Sequence, residues 1–224
     1  MVAKNFITYM KAVVADGDKL LTAAETIKTF PKVFNTYKEY SDVGFRNDED
    51  REYEYTARQL LVDNFGFYVP TAEFVFELKK IHKKVNKPIL SVGCGSGYLE
   101  RVLINSGVET IATDLYIKDN RYSWGSTIWM PQAECISAQD AIKKYPGCPV
   151  LMSWPCYDKD WSYDAIKEMT KDQYLIYIGE SFGGCTGTDA FHLELFDNFT
   201  DSEIRVPAVQ FRGIHDRVHI NIKY

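Results

Sequence analysis

The chain has 224 residues, 46% of them hydrophobic, and a formal net charge of −5 at pH 7. This length and apolar content allow one sizeable core, and they exclude a collagenous, intrinsically disordered or disulfide-framework protein. The acidic balance disfavours broad binding along nucleic acid, which needs a basic face to displace counterions from the phosphates. We therefore expect a globular protein whose ligands are small or weakly charged.

The sequence also predicts the compartment. A membrane-spanning helix needs roughly 20 apolar residues, whereas the apolar runs here are short, and residues 1–6 lack the basic and apolar regions that open a signal peptide. The five cysteines form no Cys-x-x-Cys pair, which disfavours a zinc ribbon or a redox dithiol, and the four histidines are scattered. We expect a cytoplasmic protein with no metal site and no membrane partner.

Residues 1–86 show helical periodicity and little strand alternation, so we predict a helical N-terminal segment. A charged stretch, residues 46–51, is typical of a solvated helix start, because its acidic residues suit the positive end of the helix dipole. Thr71 is the expected N-cap of the last helix, since apolar residues recur behind it with helical spacing. The other predicted helices span residues 5–14, 18–30 and 55–65.

From residue 87 onward, short apolar runs alternate with amphipathic runs. Such alternation predicts an α/β core over residues 87–224, with a mainly parallel sheet and helices on both faces. The expected strands span residues 89–92, 110–114, 133–137, 150–153 and 174–178, and the expected helices span 99–105, 141–145, 163–169 and 188–196.

The C-terminal tail departs from this alternation. Two strand candidates, residues 203–211 and 218–223, are separated only by residues 212–217. A parallel crossover needs a dozen or more residues, so a connection this short joins antiparallel strands. We therefore predict that the sheet ends in an antiparallel hairpin.

A glycine-rich bend follows the first strand of the core. Gly93, Gly95 and Gly97 lie between the strand 89–92 and a predicted helix. Glycine is needed where the chain reverses tightly and a ligand contacts the backbone, and free N–H groups at the helix start can bind that ligand. The dinucleotide fingerprint requires its third glycine where this chain has Tyr98, which disfavours NAD and FAD. The bend predicts a nucleoside site; a turn that binds nothing is the alternative.

An acidic residue closes the next predicted strand. Asp114, with Leu115 beside it, is placed to accept hydrogen bonds from both ribose hydroxyls of a nucleoside. The third predicted strand ends near Asp140 and Ala141, which could border an adenine ring, and Asp140 as the N-cap of the next helix is the alternative. Several nucleoside cofactors use such an acid, so these residues predict a nucleoside without choosing its class.

The bend and the acid resemble those of class I S-adenosylmethionine-dependent methyltransferases. Residues 92–97, Val-Gly-Cys-Gly-Ser-Gly, are similar to the first motif of that family, which places Cys94 among the cofactor-binding residues, and Asp114 is similar to its ribose-binding acid. The family often has an acidic residue two positions before the first glycine, where it helps to hold the turn and the methionine end of the cofactor; this chain has Ser91. The resemblance implies a Rossmann-like sheet and S-adenosyl-L-methionine as the cofactor.

Further motifs resemble a little-characterised group of methyltransferases from bacteria, fungi and large viruses. The similarity covers the chain from about residue 53 to the C-terminus, and Cys156 departs from the second proline of one motif. This resemblance implies the fold and the cofactor and leaves the acceptor open. The motifs are Tyr68-Val-Pro70, Trp154-Pro-Cys-Tyr-Asp158, residues 179–187, Phe191-His192 and Gly213-Ile-His-Asp216.

Chemistry is expected beyond the carboxyl ends of the later strands, where ligands bind in doubly wound sheets. We predict Tyr157, Asp158, Glu180 and His215 as the catalytic residues. His215 is a candidate to accept a proton from the acceptor. Glu180 has three open interpretations, because it could bind the acceptor, act as the general base, or hold the glycine loop that follows it.

Two aromatic residues complete the predicted cofactor site. Trp154 could pack on adenine or lie near the sulfonium, where an aromatic face stabilises a cation, and core packing is the alternative. Tyr68, with Tyr53 and Tyr55, could roof the cofactor pocket from the N-terminal segment, and ordinary helix packing is the alternative.

Together these features predict an S-adenosylmethionine-dependent methyltransferase that acts on a small-molecule acceptor, with residues 1–86 as a lid or homodimer surface. A catalytically inactive scaffold or partner subunit with the same fold is an alternative. A nucleic-acid base methyltransferase is disfavoured, because Ser153-Trp-Pro-Cys-Tyr157 matches the polar-Pro-Pro-aromatic motif of those enzymes in neither register. A nicotinamide oxidoreductase is disfavoured by Tyr98.

Overall fold

The computed structural model describes residues 2–34, 48–117 and 127–224. Its strands are β1 (Ile89–Val92), β2 (Thr110–Thr113), β3 (Val150–Ser153), β4 (Tyr174–Gly179), β5 (Phe199–Asp201) and β6 (Arg217–Lys223). They form one six-stranded sheet in the order β2-β1-β3-β4-β6-β5. The first four strands in that order are parallel, and β6 runs antiparallel to both β4 and β5. The prediction of an α/β fold with a mainly parallel sheet and a C-terminal antiparallel pair is confirmed.

Eight α-helices surround this sheet within the described ranges, and none of them is long and apolar enough to cross a membrane. They are α1 (Val2–Ala15), α2 (Ala23–Thr29), α3 (Asp48–Asn64), α4 (Ala72–Val85), α5 (Tyr98–Asn105), α6 (Ala138–Lys144), α7 (Trp161–Lys167) and α8 (Asp189–Asn198).

The helices cover both faces of the sheet, because side chains of successive strand residues point to opposite faces. On one face, Leu151 and Ile176 pack in a core that also contains buried residues of α1 to α5. On the other face, Val150 and Leu175 pack in a core with buried residues of α6, α7 and α8. The N-terminal helices therefore belong to the same hydrophobic core as one face of the sheet.

Local sequence explains the start of α4. The hydroxyl of Thr71 accepts a hydrogen bond from the N–H of Phe74 at 3.2 Å, which confirms Thr71 as the N-cap. Phe74, Leu78 and Ile81 then lie on one buried stripe. The helix ends where Asn86 takes a left-handed conformation, with φ of 54°.

Two predicted strands are wrong. Residues 133–137 form no strand; only Glu134 makes a single bridge to Thr113. Residues 203–211 form none either, and β5, immediately after α8, pairs with β6 instead. Within 203–211 Pro207 has no N–H for a ladder, and Val209 and Phe211 are buried against the N-terminal helices. The apolar pattern there reflects packing against helices and not strand pairing.

One helix prediction also needs correction, and another lies partly outside the described residues. Residues 18–30 do not form one helix, because a 3-10 turn at Gly17–Lys19 precedes α2. Thr22 and Glu25 make a capping box at the start of α2, which explains the separate helix. Of the predicted helix start at 46–51, residues 46 and 47 lie outside the described residues.

Candidate functional site

The glycine bend lies between β1 and α5, and its three glycines have φ values of +68°, +57° and +75°. A side chain on Gly97 would meet Cβ of Met130 at 2.5 Å, and one on Gly93 would meet the Trp161 ring at 3.0 Å. At Gly95, by contrast, a Cβ would have no atom within 4 Å. The bend is therefore packed on two sides and open at its middle glycine.

Asp114 faces this bend from the end of β2. Its Oδ2 accepts a hydrogen bond from the N–H of Gly95 at 3.0 Å, and its Oδ1 accepts one from the N–H of Tyr116 at 2.8 Å. The side chain is 4% exposed. β1 and β2 are parallel neighbours, so their carboxyl ends bring the acid and the glycine together. The predicted ribose ligand and the open part of the bend are thus adjacent.

A buried acid that the sequence did not reveal lies beneath the bend. Glu100, on the first turn of α5, accepts a hydrogen bond at 2.6 Å from the hydroxyl of Ser91 on β1. Both residues are 2% exposed. The only signal in the sequence is the combination of a serine before the first glycine and an acid in the first helical turn behind the last one.

Burial is the main influence on the pKa of Glu100. The pKa of Glu100 is raised to about 7, chiefly by desolvation and to a smaller extent by the charge of Asp114, and the hydrogen bond from Ser91 opposes this rise only in part. Cys94, within the bend, has a pKa well above its ordinary value because of burial and the nearby charges of Glu100 and Asp114. Its thiol is therefore a poor nucleophile.

A cleft beside the bend contains two of the predicted cofactor-binding residues. This cleft, called here the Trp161 cleft, encloses about 570 Å³. Leu115 and Asp140 lie on its wall together with the Trp161 ring that packs against Gly93. Its lining residues are Leu115, Ser137, Gln139, Asp140, Lys143, Trp161, Asp164, Lys167 and Glu168.

The start of α6 tests the N-cap interpretation of Asp140. Ser137 is the N-cap and accepts a hydrogen bond from the N–H of Asp140 at 3.1 Å, while the Asp140 carboxylate accepts one from the Ser137 hydroxyl at 2.7 Å. Asp140 as the N-cap is therefore wrong, and its carboxylate lies at the cleft. Ala141 is fully buried in the core of α6, α7 and α8 and does not line the cleft.

The end of α3 closes the bend from the N-terminal side. The Ser96 hydroxyl donates to the carbonyl of Phe65, and the Trp129 indole donates to the carbonyl of Asn64 at 2.9 Å. The rings of Phe65 and Trp129 stack with centroids 5.5 Å apart. Tyr68, four residues after α3, is 2% exposed and packs edge-on against Phe74, so its ring lies in the core of this face.

Trp154 follows β3 in an unusual backbone conformation. Its φ is 52°, a left-handed value that a bulky residue rarely adopts. The indole stacks on Phe67 at 4.9 Å and donates a hydrogen bond from Nε1 to Oδ2 of Asp216 at 3.1 Å. Burial raises the pKa of Asp216 to about 6, partly opposed by this hydrogen bond. The sequence analysis gave a catalytic role to His215 and none to Asp216 in the same motif, since burial cannot be inferred from a turn motif.

Glu180 joins three parts of the chain at the end of β4. Its Oε2 accepts from the N–H of Cys185 at 2.7 Å, and its Oε1 accepts from the N–H of His215 at 2.9 Å. Burial raises its pKa, but the backbone donors of His215 and Cys185 outweigh burial and hold it below its ordinary value. Of the three interpretations of Glu180, these contacts favour the one in which it holds the glycine loop. The His215 side chain is exposed.

Tyr157 and Asp158 lie on the surface after β3. Tyr157 is 64% exposed and lines a second cleft of about 480 Å³, the Tyr157 cleft, with the glycine loop after β4 and the start of α8. Asp158 is also exposed but is not among the cleft residues. The cleft lining consists of Tyr157, Asp160, Gly183, Gly184, Gly187, Thr188, Asp189 and Ala190.

Apart from Tyr68 and Ala141, which are buried in the two cores, the predicted site residues fall into two groups. One group lies at the bend and the Trp161 cleft, and the other lies around the ends of β3 and β4. Across the described ranges, no three histidine, cysteine or acidic side chains are grouped so that they could hold a metal ion. No protein-family model matches the chain, and no curated protein matches it.

Proposed function

We propose that the protein is a class I S-adenosylmethionine-dependent methyltransferase that transfers a methyl group to a small-molecule acceptor. The observation that carries this proposal is the Asp114 carboxylate, which accepts a hydrogen bond from the N–H of Gly95 at the carboxyl ends of two parallel strands, beside a glycine whose Cβ position is open. Backbone donors beside a buried carboxylate suit the polar end and the ribose of a nucleoside.

The sheet order supports a Rossmann-like fold. In doubly wound sheets the ligand lies where the strand order reverses. Here β1 lies between β2 and β3 in the sheet, so the order reverses at β1. The bridge between Glu134 and Thr113 continues the parallel order by one residue pair beyond β2. The bend and Asp114 therefore occupy the position at which such folds bind nucleosides.

The residues around the bend suit this cofactor better than a dinucleotide. Asp114 would hold the ribose, and Leu115, Asp140 and Trp161 would border the adenine. A Rossmann dinucleotide site needs a third glycine for close packing of helix and strand, whereas Tyr98 is 5% exposed and packs against Phe65 at that place.

The main contribution of the chain to catalysis would be to position the cofactor and the acceptor for methyl transfer. S-adenosylmethionine, when bound, supplies an electrophilic methyl group, and an in-line transfer depends on how the acceptor is held. We assign the acceptor side to the ends of β3 and β4, where Trp154 and Asp216 contact each other and Tyr157 lines its cleft. Asp216 is better suited than Glu180 to accept a proton, because burial raises the pKa of Asp216 to about 6, whereas the backbone donors of Cys185 and His215 hold the pKa of Glu180 below its ordinary value. His215 and Asp158 remain predictions as catalytic residues.

Calorimetric titration with S-adenosylmethionine, S-adenosylhomocysteine and NADH tests the proposal. We expect both sulfur nucleosides to bind and NADH not to bind. Asp114→Ala should weaken binding by about 1.5–3 kcal/mol, the scale of hydrogen bonds to a charged group. Glu109→Ala, an exposed acid just before β2, is the matched control and should leave affinity unchanged. If neither sulfur nucleoside binds, the proposal fails and the inactive-scaffold alternative is favoured.

Localisation and partners belong to the same proposal. We propose a cytoplasmic enzyme with a small acceptor and without a membrane or nucleic-acid partner, and the net charge of −5 supports the last of these points. A homodimer through the N-terminal segment stays a prediction, which sedimentation analysis of the purified chain would test.

A further inference from the structure

We propose that the Ser91–Glu100 pair beneath the glycine bend is the counter-ion site for a positively charged group of the bound nucleoside, and that Glu100 releases its proton to solvent when that group binds. This inference rests on the proposed function, because it assigns a charged partner within the same cofactor site. Ser91 stands at the position where the family that the chain resembles often has an acid, and Glu100 is its hydrogen-bond partner.

The geometry leaves one oxygen of Glu100 available. Oε1 accepts the 2.6 Å hydrogen bond from Ser91, whereas Oε2 is buried and has no hydrogen-bond partner among the described residues. An unsatisfied buried carboxyl oxygen is costly, so native proteins rarely keep one without a use. The charge that bears on Glu100 is that of Asp114, which has the same sign. The pair therefore lacks a cation that a ligand could supply.

Several titratable groups surround this carboxyl. Asp114 faces it from β2, Cys94 from the bend, and Tyr98 from its own helix, and the charge of Glu100 raises the pKa of both Cys94 and Tyr98. None of these neighbours is cationic. With its own pKa raised to about 7 by burial, Glu100 is roughly half protonated at neutral pH. A cation brought next to Oε2 favours the ionised form, so the proton leaves for the buffer.

A purely structural role makes a different prediction. Gly97 provides no side-chain cap for α5, and an acid in the first turn would stabilise the helix start by its charge alone. In that case nucleoside binding would leave the protonation of Glu100 unchanged. Proton release on binding therefore distinguishes a ligand-contacting acid from a helix-stabilising one.

The decisive experiment is calorimetric titration at pH 7 in phosphate and in Tris, two buffers with different ionisation enthalpies. We expect the wild-type chain to release about half a proton per S-adenosylmethionine bound. Release with S-adenosylhomocysteine as well assigns the contact to the amino-acid ammonium group, and release with S-adenosylmethionine alone assigns it to the sulfonium. No release with either nucleoside, although both bind, overturns the inference while leaving the proposed function intact.

Variants separate Glu100 from other titrating groups. Glu100→Gln keeps the shape of the side chain and should bind without releasing a proton; release that persists in this variant contradicts the inference. Ser91→Ala removes the hydrogen bond that lowers the Glu100 pKa, so it should release more than the wild type, approaching one proton. Glu109→Gln, an exposed acid, is the matched control and should behave as the wild type.

The pH dependence of affinity gives an independent readout. If the nucleoside binds the ionised form, wild-type affinity should rise about tenfold between pH 6 and pH 8, because the ionised fraction of a group with a pKa of about 7 rises by that factor. Glu100→Gln should bind more weakly than the wild type at pH 8 and lose that rise. An equal rise in both proteins would assign the pH dependence to another group and overturn the inference.

Discussion

Asp216 is a carboxyl group that the protein buries between aromatic residues. It is 4% exposed, and the Trp154 indole and Glu180 lie close enough to influence its pKa, which burial raises to about 6. An acid whose pKa is higher in the folded chain than in the unfolded chain binds more protons when folded. It therefore stabilises the fold at low pH, and that stabilisation is lost as pH rises through the folded pKa.

The stability of Asp216→Asn should accordingly depend on pH in a defined direction. The rise from 3.8 to about 6 means that the wild type loses about 2.4 kcal/mol of free energy of unfolding between pH 4 and pH 7, which the variant does not lose. Urea unfolding at these two pH values should show a larger destabilisation of the variant at pH 4. Val218→Ala, a buried change without a titrating group, is the control and should cost the same at both. An equal cost of Asp216→Asn at both pH values would contradict the prediction.

At the scale of single residues, the sequence was sufficient for those whose position follows from the pattern of nearby strands and turns. Asp114 follows a strand and faces the glycine bend as predicted, because strand direction alone places it there. Glu100 and Asp216 were not identified, since their chemistry comes from burial by segments far away in the sequence. A motif shows that an acid is present, whereas only packing shows what surrounds it.

At the scale of elements, Glu180 connects the end of β4 to the glycine loop and to the turn before β6. Each of its oxygens accepts from one backbone N–H, on Cys185 and on His215. Glu180→Gln replaces one of these oxygens with an amide NH₂, so one backbone donor loses its acceptor. We expect a loss of about 1–3 kcal/mol in stability.

Hydrogen exchange locates this effect. In Glu180→Gln the amide of Cys185 or of His215, whichever then faces the NH₂ group, should exchange faster, whereas the amides of β1 should keep their protection. Asp189→Asn, an exposed acid in the first turn of α8, is the matched control and should change neither. Unchanged exchange at both amides would show that Glu180 does not hold the loop.

The elements also show where sequence patterns stop being informative. The parallel strands were predictable because each is a short apolar run that ends in a turn or a helix signal. Residues 203–211 have a similar alternation, yet their apolar side chains pack on helices from the start of the chain. Alternation predicts an extended backbone, but strand pairing also requires a partner strand, which cannot be identified from the local sequence.

At the scale of the whole molecule, the predicted boundary at residue 86 divides one hydrophobic core. Phe6 of α1 is fully buried and contacts the ring of Phe211, which precedes β6, with centroids 6.3 Å apart. The same core includes Leu151 and Ile176 in the centre of the sheet. Helix periodicity identified the N-terminal helices, but it could not show that they cover a face of the sheet.

This shared core predicts that the N-terminal helices and the sheet unfold together. Phe6→Ala should lower the free energy of unfolding by about 3–5 kcal/mol, the usual cost of removing a buried phenylalanine ring. Because α1 and the sheet share one core, native-state hydrogen exchange should show β3 and the distant helix α7 losing protection in the same step as α1. Leu193→Ala, an exposed change on α8, serves as the control and should shift neither. Loss of protection confined to α1 to α4, with β3 and α7 unaffected, would instead make residues 1–86 an independently folding lid.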